Sequence, residues 1–353
     1  QILIAAHDIG GMQAMFPVVR LLRTQQRFVI KGIFSGPAAI FVQARKFQNE
    51  FKKTFGISDE TLTKFVKQFN PHIIFLGTSS GIYADKRLIG IGKKLHIPVA
   101  AIVDSWVNYR FQFSRRDDGV FSEKDLPDYI FVPDHIAKEE MIVEGFPPER
   151  LIVTGNPFFE SFKKFPNIKE PQKPVALFAD QHLSELMKRG VHENFGFDER
   201  EAFSDIVDIF EDLKWQGRLV IKFHPGSEDF TRFDASINRA SFSIEKAAAK
   251  VPLEKLLKNS RFVIGMNSMV LFEAALRGKI VISYQPHLVS KIDPLMSNRL
   301  GFSFFAYTKD ELKDVFKKVM VMGKLPLRHE KVIARYTQSG ATKKIVSFLE
   351  NIF

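Results

Sequence analysis

Residues 262–283 read Phe-Val-Ile-Gly-Met-Asn-Ser-Met-Val-Leu-Phe-Glu-Ala-Ala-Leu-Arg-Gly-Lys-Ile-Val-Ile-Ser. An apolar run, Phe262–Ile264, ends in a polar turn. A helical stretch, Ser268–Leu276, follows, and a second apolar run, Ile280–Ser283, resumes after Gly278. Continuous rather than alternating apolar runs mark strands buried on both faces, and parallel neighbours need a crossover between them. The stretch therefore reads as a β–α–β unit of a parallel sheet.

The same alternation extends in both directions. Upstream lie strand Val175–Ala179, helix Glu199–Lys214, strand Leu219–Phe223 and helix Leu253–Lys258; downstream, Glu311–Met320 and Thr342–Ile352 read as helices. The first half repeats the pattern with strands Ile2–Ala6, Phe28–Ile33, His72–Leu76, Val99–Val103, Tyr129–Val132 and Leu151–Val153. Helices Met12–Arg23, Ile40–Phe51, Asp59–Gln68, Asp85–Leu95 and Ile136–Glu144 separate them, the third opened by the cap-like Ser58. Between the halves, Pro166, Pro171 and Pro174 stand among lysines and read as a linker. The expected fold is α/β, with two Rossmann-like doubly wound parallel-sheet domains. The first spans 1–157, the linker 158–174 and the second 175–353, with the last helix able to pack back on the first domain.

Composition agrees with two soluble-type domains: 353 residues, 45% hydrophobic and 26% charged. No run approaches the roughly 18 to 20 apolar residues of a membrane-spanning helix. Cysteine is absent, which excludes disulfides, thiolate metal sites and cysteine nucleophiles and permits a reducing compartment. The net charge of +11 points to an anionic partner, either a phosphorylated small molecule or an anionic membrane face. Nucleic acid is not expected, because the basic residues are dispersed and no recognition motif accompanies them. Phenylalanine is abundant, at 36 residues. Many fall in amphipathic positions and read as core; any that reach the surface could, with the basic surplus, make a peripheral membrane patch.

In open parallel sheets, ligands bind beyond the carboxyl ends of the strands. Four loops at such ends carry chemistry. Ala6-His7-Asp8-Ile9-Gly10-Gly11 joins the first strand to the first helix; its glycines allow close backbone approach and the helix N-terminus favours an anion. His7 and Asp8 are acid–base candidates there, or His7 merely caps. Lys222-Phe-His224-Pro225-Gly226 closes a second-domain strand, with a lysine and a proline-fixed histidine suited to a phosphate or a base edge. Asn267, Ser268 and Met269 begin a helix after a strand, where amides and hydroxyls hold phosphate. Glu273, one turn on, has the reach to accept from a ribose diol; the plainer reading makes Ser268 an N-cap and Glu273 a surface charge. Asp104-Ser-Trp106-Val-Asn-Tyr109 offers a general base and two aromatics able to stack on a sugar, or else a capping aspartate with core aromatics. No metal-binding spacing, P-loop, dinucleotide fingerprint or Gly-x-Ser-x-Gly elbow is present.

Taken together, these segments resemble the GT-B nucleotide-sugar glycosyltransferases and their relatives. Ala6-His-Asp-Ile-Gly-Gly-Met-Gln-Ala-Met-Phe-Pro17 is similar to the glycine-rich loop of the peptidoglycan N-acetylglucosaminyltransferases. Ile152-Val-Thr-Gly-Asn-Pro157 is similar to the opening of the second domain in those enzymes, in lipid-A-disaccharide synthases and in the non-hydrolysing UDP-N-acetylglucosamine 2-epimerases. Asn267-Ser268 through Glu273-Ala-Ala and Gly278 resembles their donor-binding helix, and Ser339-Gly-Ala341 fits the start of their last helix. Two departures stand out. Ala179-Asp-Gln181-His182 replaces the family's Gly-Ser-x-Gly loop, and His224-Pro225 is more like the histidine–proline motif of CMP- and CDP-dependent transferases.

The resemblance implies two domains facing across a cleft, and no cofactor or essential metal. Its implied activity is transfer of a UDP-hexosamine or a CMP-linked acid sugar to a glycan or lipid-linked acceptor, in bacterial surface polysaccharide synthesis at the cytoplasmic side of the membrane. It makes His7, Asp8 or Asp104 the catalytic group, and Lys222, His224, Pro225, Asn267, Ser268, Met269 and Glu273 the donor site. Gly10, Gly11, Gln181 and His182 become a phosphate or acceptor loop. Two alternatives stand beside it: a UDP-N-acetylglucosamine 2-epimerase or nucleotide-sugar hydrolase on the same fold, and a non-catalytic nucleotide-sugar-binding scaffold. Met269, standing where the epimerases have a glycine, weighs against the epimerase; the Ala179–His182 loop favours the scaffold.

Overall fold

A computed structural model describes the chain except residues 51–56, 80, 117–118, 166–172, 189–194, 225–226, 249, 323–324 and 353. Two compact units emerge, Gln1–Ser161 with Gln338–Phe353, and Phe162–Thr337. The proline-bearing stretch 166–172 lies outside the described residues, and Phe159–Ser161 forms a short 3-10 turn.

The first unit contains β1 (Ile2–Ala6), β2 (Ile30–Phe34), β3 (Ile73–Gly77), β4 (Val99–Ile102), β5 (Tyr129–Val132) and β6 (Leu151–Val153), ordered β2-β1-β3-β4-β5-β6. Every neighbouring pair is parallel. β1, β3 and β4 are buried throughout, which their unbroken apolar runs require. The chain leaves β1 for one edge, then returns to fill the other side from β3 onward. The order therefore reverses between β1 and β3, whose following loops carry His7–Gly11 and Thr78–Ser79.

Helix Ile9–Thr24 follows β1 and packs its Met12, Met15, Val18, Val19 and Leu22 face into the core. Its partner is the C-terminal helix Ala341–Glu350, whose Ile345, Val346 and Leu349 join the same core. Glu160 fastens that helix, its carboxylate accepting from the Ser339 hydroxyl and from the Thr342 amide and hydroxyl. Gly155, at φ 93°, lets the Thr154–Pro157 turn pass Ser339, since a Cβ there would lie 2.7 Å from its Oγ.

The second unit contains β7 (Val175–Ala179), β8 (Arg218–Lys222), β9 (Ser243–Lys246), β10 (Phe262–Gly265), β11 (Ile280–Tyr284) and β12 (Phe304–Ala306), ordered β12-β11-β10-β7-β8-β9, all parallel. Counted within the unit, this is the 3-2-1-4-5-6 order of a doubly wound dinucleotide-binding sheet, reversing between β7 and β10. Its core is aromatic: Phe178, Phe203, Phe210, Phe233, Phe262 and Phe316 pack with Trp215. Each fully buried phenylalanine contributes about 1.5–3 kcal/mol.

Several expectations are revised. β9 and β12 go unread in the sequence because the edge strand Ser243–Lys246 is polar and largely exposed and Phe304–Ala306 is only three residues long. The helix expected over Ile40–Phe51 instead spans Gly36–Gln43: Pro37 starts it early, and Lys46 at φ 54° turns the chain out. Among the described residues only Phe111, Phe230 and Phe305 are exposed phenylalanines. Most of the described phenylalanines are buried, which weakens their abundance as an argument for membrane contact. No helix among the described residues is long and apolar enough to cross a membrane.

Candidate functional site

In the first unit, candidate groups collect at the carboxyl ends of β1, β3 and β4. Gly11 sits backbone to backbone against Gly77 and Thr78; a Cβ on it would stand 2.7 Å from the Thr78 carbonyl oxygen. That contact brings the start of helix Ile9–Thr24 down onto the sheet. Gly10 does the same beside Asp104, whose carboxylate occupies the space a Cβ on Gly10 would fill. Asp8 is the N-cap residue of the helix and makes no side-chain capping bond.

Asp104 is half-buried, and desolvation at this spot pushes its carboxyl up to about 6, with the Asp8 charge adding to the rise. Its main-chain carbonyl accepts from Asn156 Nδ2 at 3.3 Å. His7 is 9% exposed, with Nδ1 2.7 Å from Ser35 Oγ and its ring stacked on Tyr83 at 3.3 Å and 6°. Burial holds the imidazole below its ordinary pKa, partly opposed by Asp8, whose Oδ1 lies 3.9 Å from Nε2.

The aromatics after Asp104 follow the plainer reading. Trp106 is buried, donates to Asp134 Oδ2 at 2.9 Å and stacks on Phe159; Tyr109 is buried and donates to Glu140 Oε2 at 2.8 Å. Engaged in the core, neither presents a face to a sugar.

Sequence reasoning missed Ser35, Tyr83, Asp85 and Lys86. Buried Asp85 accepts from Ser79 Oγ and has its carboxyl raised to about 6 by burial. Lys86 donates to the Phe111 and Ser114 carbonyls at 2.6 and 2.9 Å, and burial lowers it to about 8. An adjacent charged pair at the start of a helix looks like solvated surface in sequence, and only the fold turns it inward.

The second unit arranges its strand ends differently. At the β7/β10 reversal, the Gln181 side-chain amide makes two bonds to Asn267: Nε2 donates to Asn267 Oδ1 at 2.8 Å, and the Asn267 main-chain N–H donates to Gln181 Oε1 at 2.9 Å. Ser268 caps helix Met269–Leu276, its Oγ accepting from the Val270 amide at 3.2 Å. Met269 is 44% exposed beside it. Glu273 is not a surface charge: it is mostly buried, desolvation raises its pKa, and Oε1 accepts from Arg277 Nε at 2.9 Å.

Asp180 is turned inward to Arg232, whose fully buried guanidinium also reaches Ser227 Oγ at 2.9 Å, Glu185 at 3.5 Å and Glu199 at 3.7 Å. The same carboxylate accepts from the His224 amide at 3.2 Å. The loop that replaces Gly-Ser-x-Gly is thus an anchored turn. His182 and His224 lean together at 4.3 Å between ring centres, and buried His182 Nδ1 has no hydrogen-bond partner. Desolvation, with His182 and Arg232 nearby, lowers His224 to about 4. Lys222 ends β8 in register with Ala179, and its carbonyl accepts from the Asp180 amide. Pro225 lies outside the described residues.

Comparison with known proteins bears on the chemistry. The family model for UDP-N-acetylglucosamine 2-epimerase matches residues 124–288. A curated relative, the UDP-N-acetylglucosamine 2-epimerase of Methanocaldococcus jannaschii, is 21% identical over 194 residues, 53% of each chain. The chain matches about half the length of that relative. Among solved structures, the Neisseria meningitidis UDP-GlcNAc 2-epimerase bound to UDP-GlcNAc aligns at TM-score 0.68 and 16% identity, over 99% of both chains. The Staphylococcus aureus MnaA–UDP structure aligns at 0.69 and 14%, over 100% of this chain and 98% of that one. Acinetobacter baumannii MurG aligns at 0.54 and 13%, over 99% of both.

These matches correct the expected activity. The family model and the curated relative are those of an isomerase, so the glycosyltransferase expectation does not stand, and the epimerase alternative is the better supported despite Met269. The physical reason is that transferases and epimerases share this scaffold, so motifs that build it cannot tell the reactions apart. What the alignments with these solved structures establish is architecture: the chain has the GT-B fold, two parallel-sheet units with flanking helices.

Proposed function

We propose that this chain is a nucleotide-sugar 2-epimerase acting on a UDP-linked N-acetylhexosamine. The observation that carries the reading is the epimerase family match over residues 124–288, which includes the Gln181–Asn267 pair at the second unit's reversal point. Inverting C2 needs its proton taken from one face and returned to the other by groups that change protonation near neutral pH. That C–H is not acidic by itself, so the electron pair freed at C2 forms a C1–C2 double bond as UDP leaves C1. UDP adds back at C1 as the proton returns to C2. Asp104, with its carboxyl near 6, suits one of these steps. His7 and Asp8 stand at the neighbouring strand end. On the nucleotide side, Gln181 orients Asn267, Ser268 opens a helix whose N-terminus favours phosphate, and Lys222, His224 and Glu273 complete the set.

The test is to incubate the purified chain with UDP-GlcNAc in deuterium oxide. Deuterium at sugar C2 together with the C2 epimer is the expected result. Stabilisation by UDP without any C2 exchange overturns catalysis and leaves a nucleotide-sugar-binding protein. Saturation at about 100 times the dissociation constant adds roughly 2.7 kcal/mol to stability, which makes binding readable by thermal shift.

A further inference from the structure

We propose that His7 is a fixed, neutral hydrogen-bond donor, presenting Nε2–H to an acceptor oxygen of the bound sugar nucleotide, with Ser35 and Tyr83 as its positioning residues. The ring has little freedom. One face lies on the Tyr83 phenol, nearly parallel at 3.3 Å, and Gly36 packs against it too, where a Cβ would fall 2.5 Å from Cε1. Gly36 has φ 51°, a conformation suited to glycine, so close backbone packing here is built into the start of helix Gly36–Gln43. Nδ1 is taken by Ser35 Oγ at 2.7 Å, inside the protein.

The remaining edge, Nε2, faces the Asp8 carboxylate at 3.9 Å. A lone pair on Nε2 would oppose that negative charge, whereas an N–H is attracted to it, so the proton belongs on Nε2. Nδ1 is then an acceptor, and the Ser35 hydroxyl is the donor. Ser35 is available for this: it is the N-cap residue of its helix, yet its side chain makes no capping bond. The other charged or titratable groups around this corner are Asp104 against Gly10, Tyr83 itself, and Lys86, whose charge acts on Asp8. A neutral imidazole whose tautomer is set by the bond at its other nitrogen can donate without first losing a proton. The proposal rests on the epimerase reading for the identity of the ligand, though not for the tautomer.

The experiment has two arms so that the two ideas can fail separately. Nitrogen-15 spectra of the full chain, with His7 assigned by its loss in His7→Gln, should show pyridine-type Nδ1 and pyrrole-type Nε2 at neutral pH. Ser35→Ala should mix the tautomers. Tyr83→Leu should move the His7 titration up toward the ordinary value of about 6.5, while Tyr83→Phe, which keeps the stack, should not. The reverse tautomer, or an imidazolium at pH 7, overturns the proposal whatever the protein catalyses. In the kinetic arm, His7→Ala should cost about 10²–10³-fold in kcat, the loss of one preorganised donor. His7→Gln, which retains an N–H donor but cannot shuttle a proton, should recover most of that. Equal loss in both variants makes His7 a proton carrier and overturns the donor role; absence of turnover in the unmodified chain counts only against the epimerase reading.

Discussion

The strand ends of the two units solve opposite problems. In the first, polar groups are gathered and shifted from their ordinary pKa values: Asp104 is raised to about 6 and His7 lowered by burial, with Gly10 and Gly11 leaving room beside them. In the second, the polar side chains are spent on one another, Gln181 on Asn267 and Asp180 on Arg232. The first edge leaves an acid and an imidazole shifted from their ordinary pKa values; the second pairs most of its polar groups, with His182 Nδ1 unpartnered and His224 lowered to about 4. On the epimerase reading proposed above, proton chemistry is assigned to the first and the holding of a nucleotide to the second, a division of labour that substitutions can break.

The largest effect should come from Asp104→Asn. Turnover should fall by about 10²–10⁴-fold while UDP affinity stays near that of the unmodified chain, measured by kinetics and titration calorimetry. A loss of affinity with turnover intact would reverse the assignment of the two edges. Arg232→Met should act on stability instead. It leaves Asp180 and Glu199 buried without their cation, at about 3–5 kcal/mol, read by urea unfolding. A change near zero would mean the frame is not held by charge.

Gly10→Ala should cost about 1–3 kcal/mol, because the new methyl takes the place of the Asp104 carboxylate. It should also lower turnover, linking the glycine to the acid rather than to the ligand alone. The smallest effect sharpens the contrast through pH. Asp104 is raised from 3.8 to about 6, so between those values the folded chain holds a proton the unfolded chain has released. Stability from this group therefore falls as pH rises from about 4 to 6. His224 is lowered from 6.5 to about 4, so the unfolded chain protonates first and stability is lost as pH falls below about 6.5. Unfolding curves across pH should show Asp104→Asn removing the first trend and His224→Gln the second.

Much of the fold was legible because buried parallel strands announce themselves by continuous apolar runs; Ile2–Ala6, Ile73–Gly77 and Phe262–Gly265 needed no tertiary information. Polar or very short edge strands such as β9 carry no such signal. Of the candidate site, His7, Asp104 and Asn267 were singled out from their place after strands, and Gln181 through the loop that departs from the family pattern. Ser35, Tyr83 and Arg232 were not, since each acts by reaching a residue far away in the chain.

The sequence by itself determined the alternation of strand and helix, the glycines that permit close backbone approach, and the polar loops that follow the strands, because each depends on residues near in the chain. Tertiary structure decided which polar groups are spent and which are poised. Asp104 and Asp180 both follow a buried strand, but one meets a bare glycine helix start and is desolvated, while the other meets a buried guanidinium. That difference is set by packing partners distant in sequence, and electrostatic character follows the partners, not the residue type.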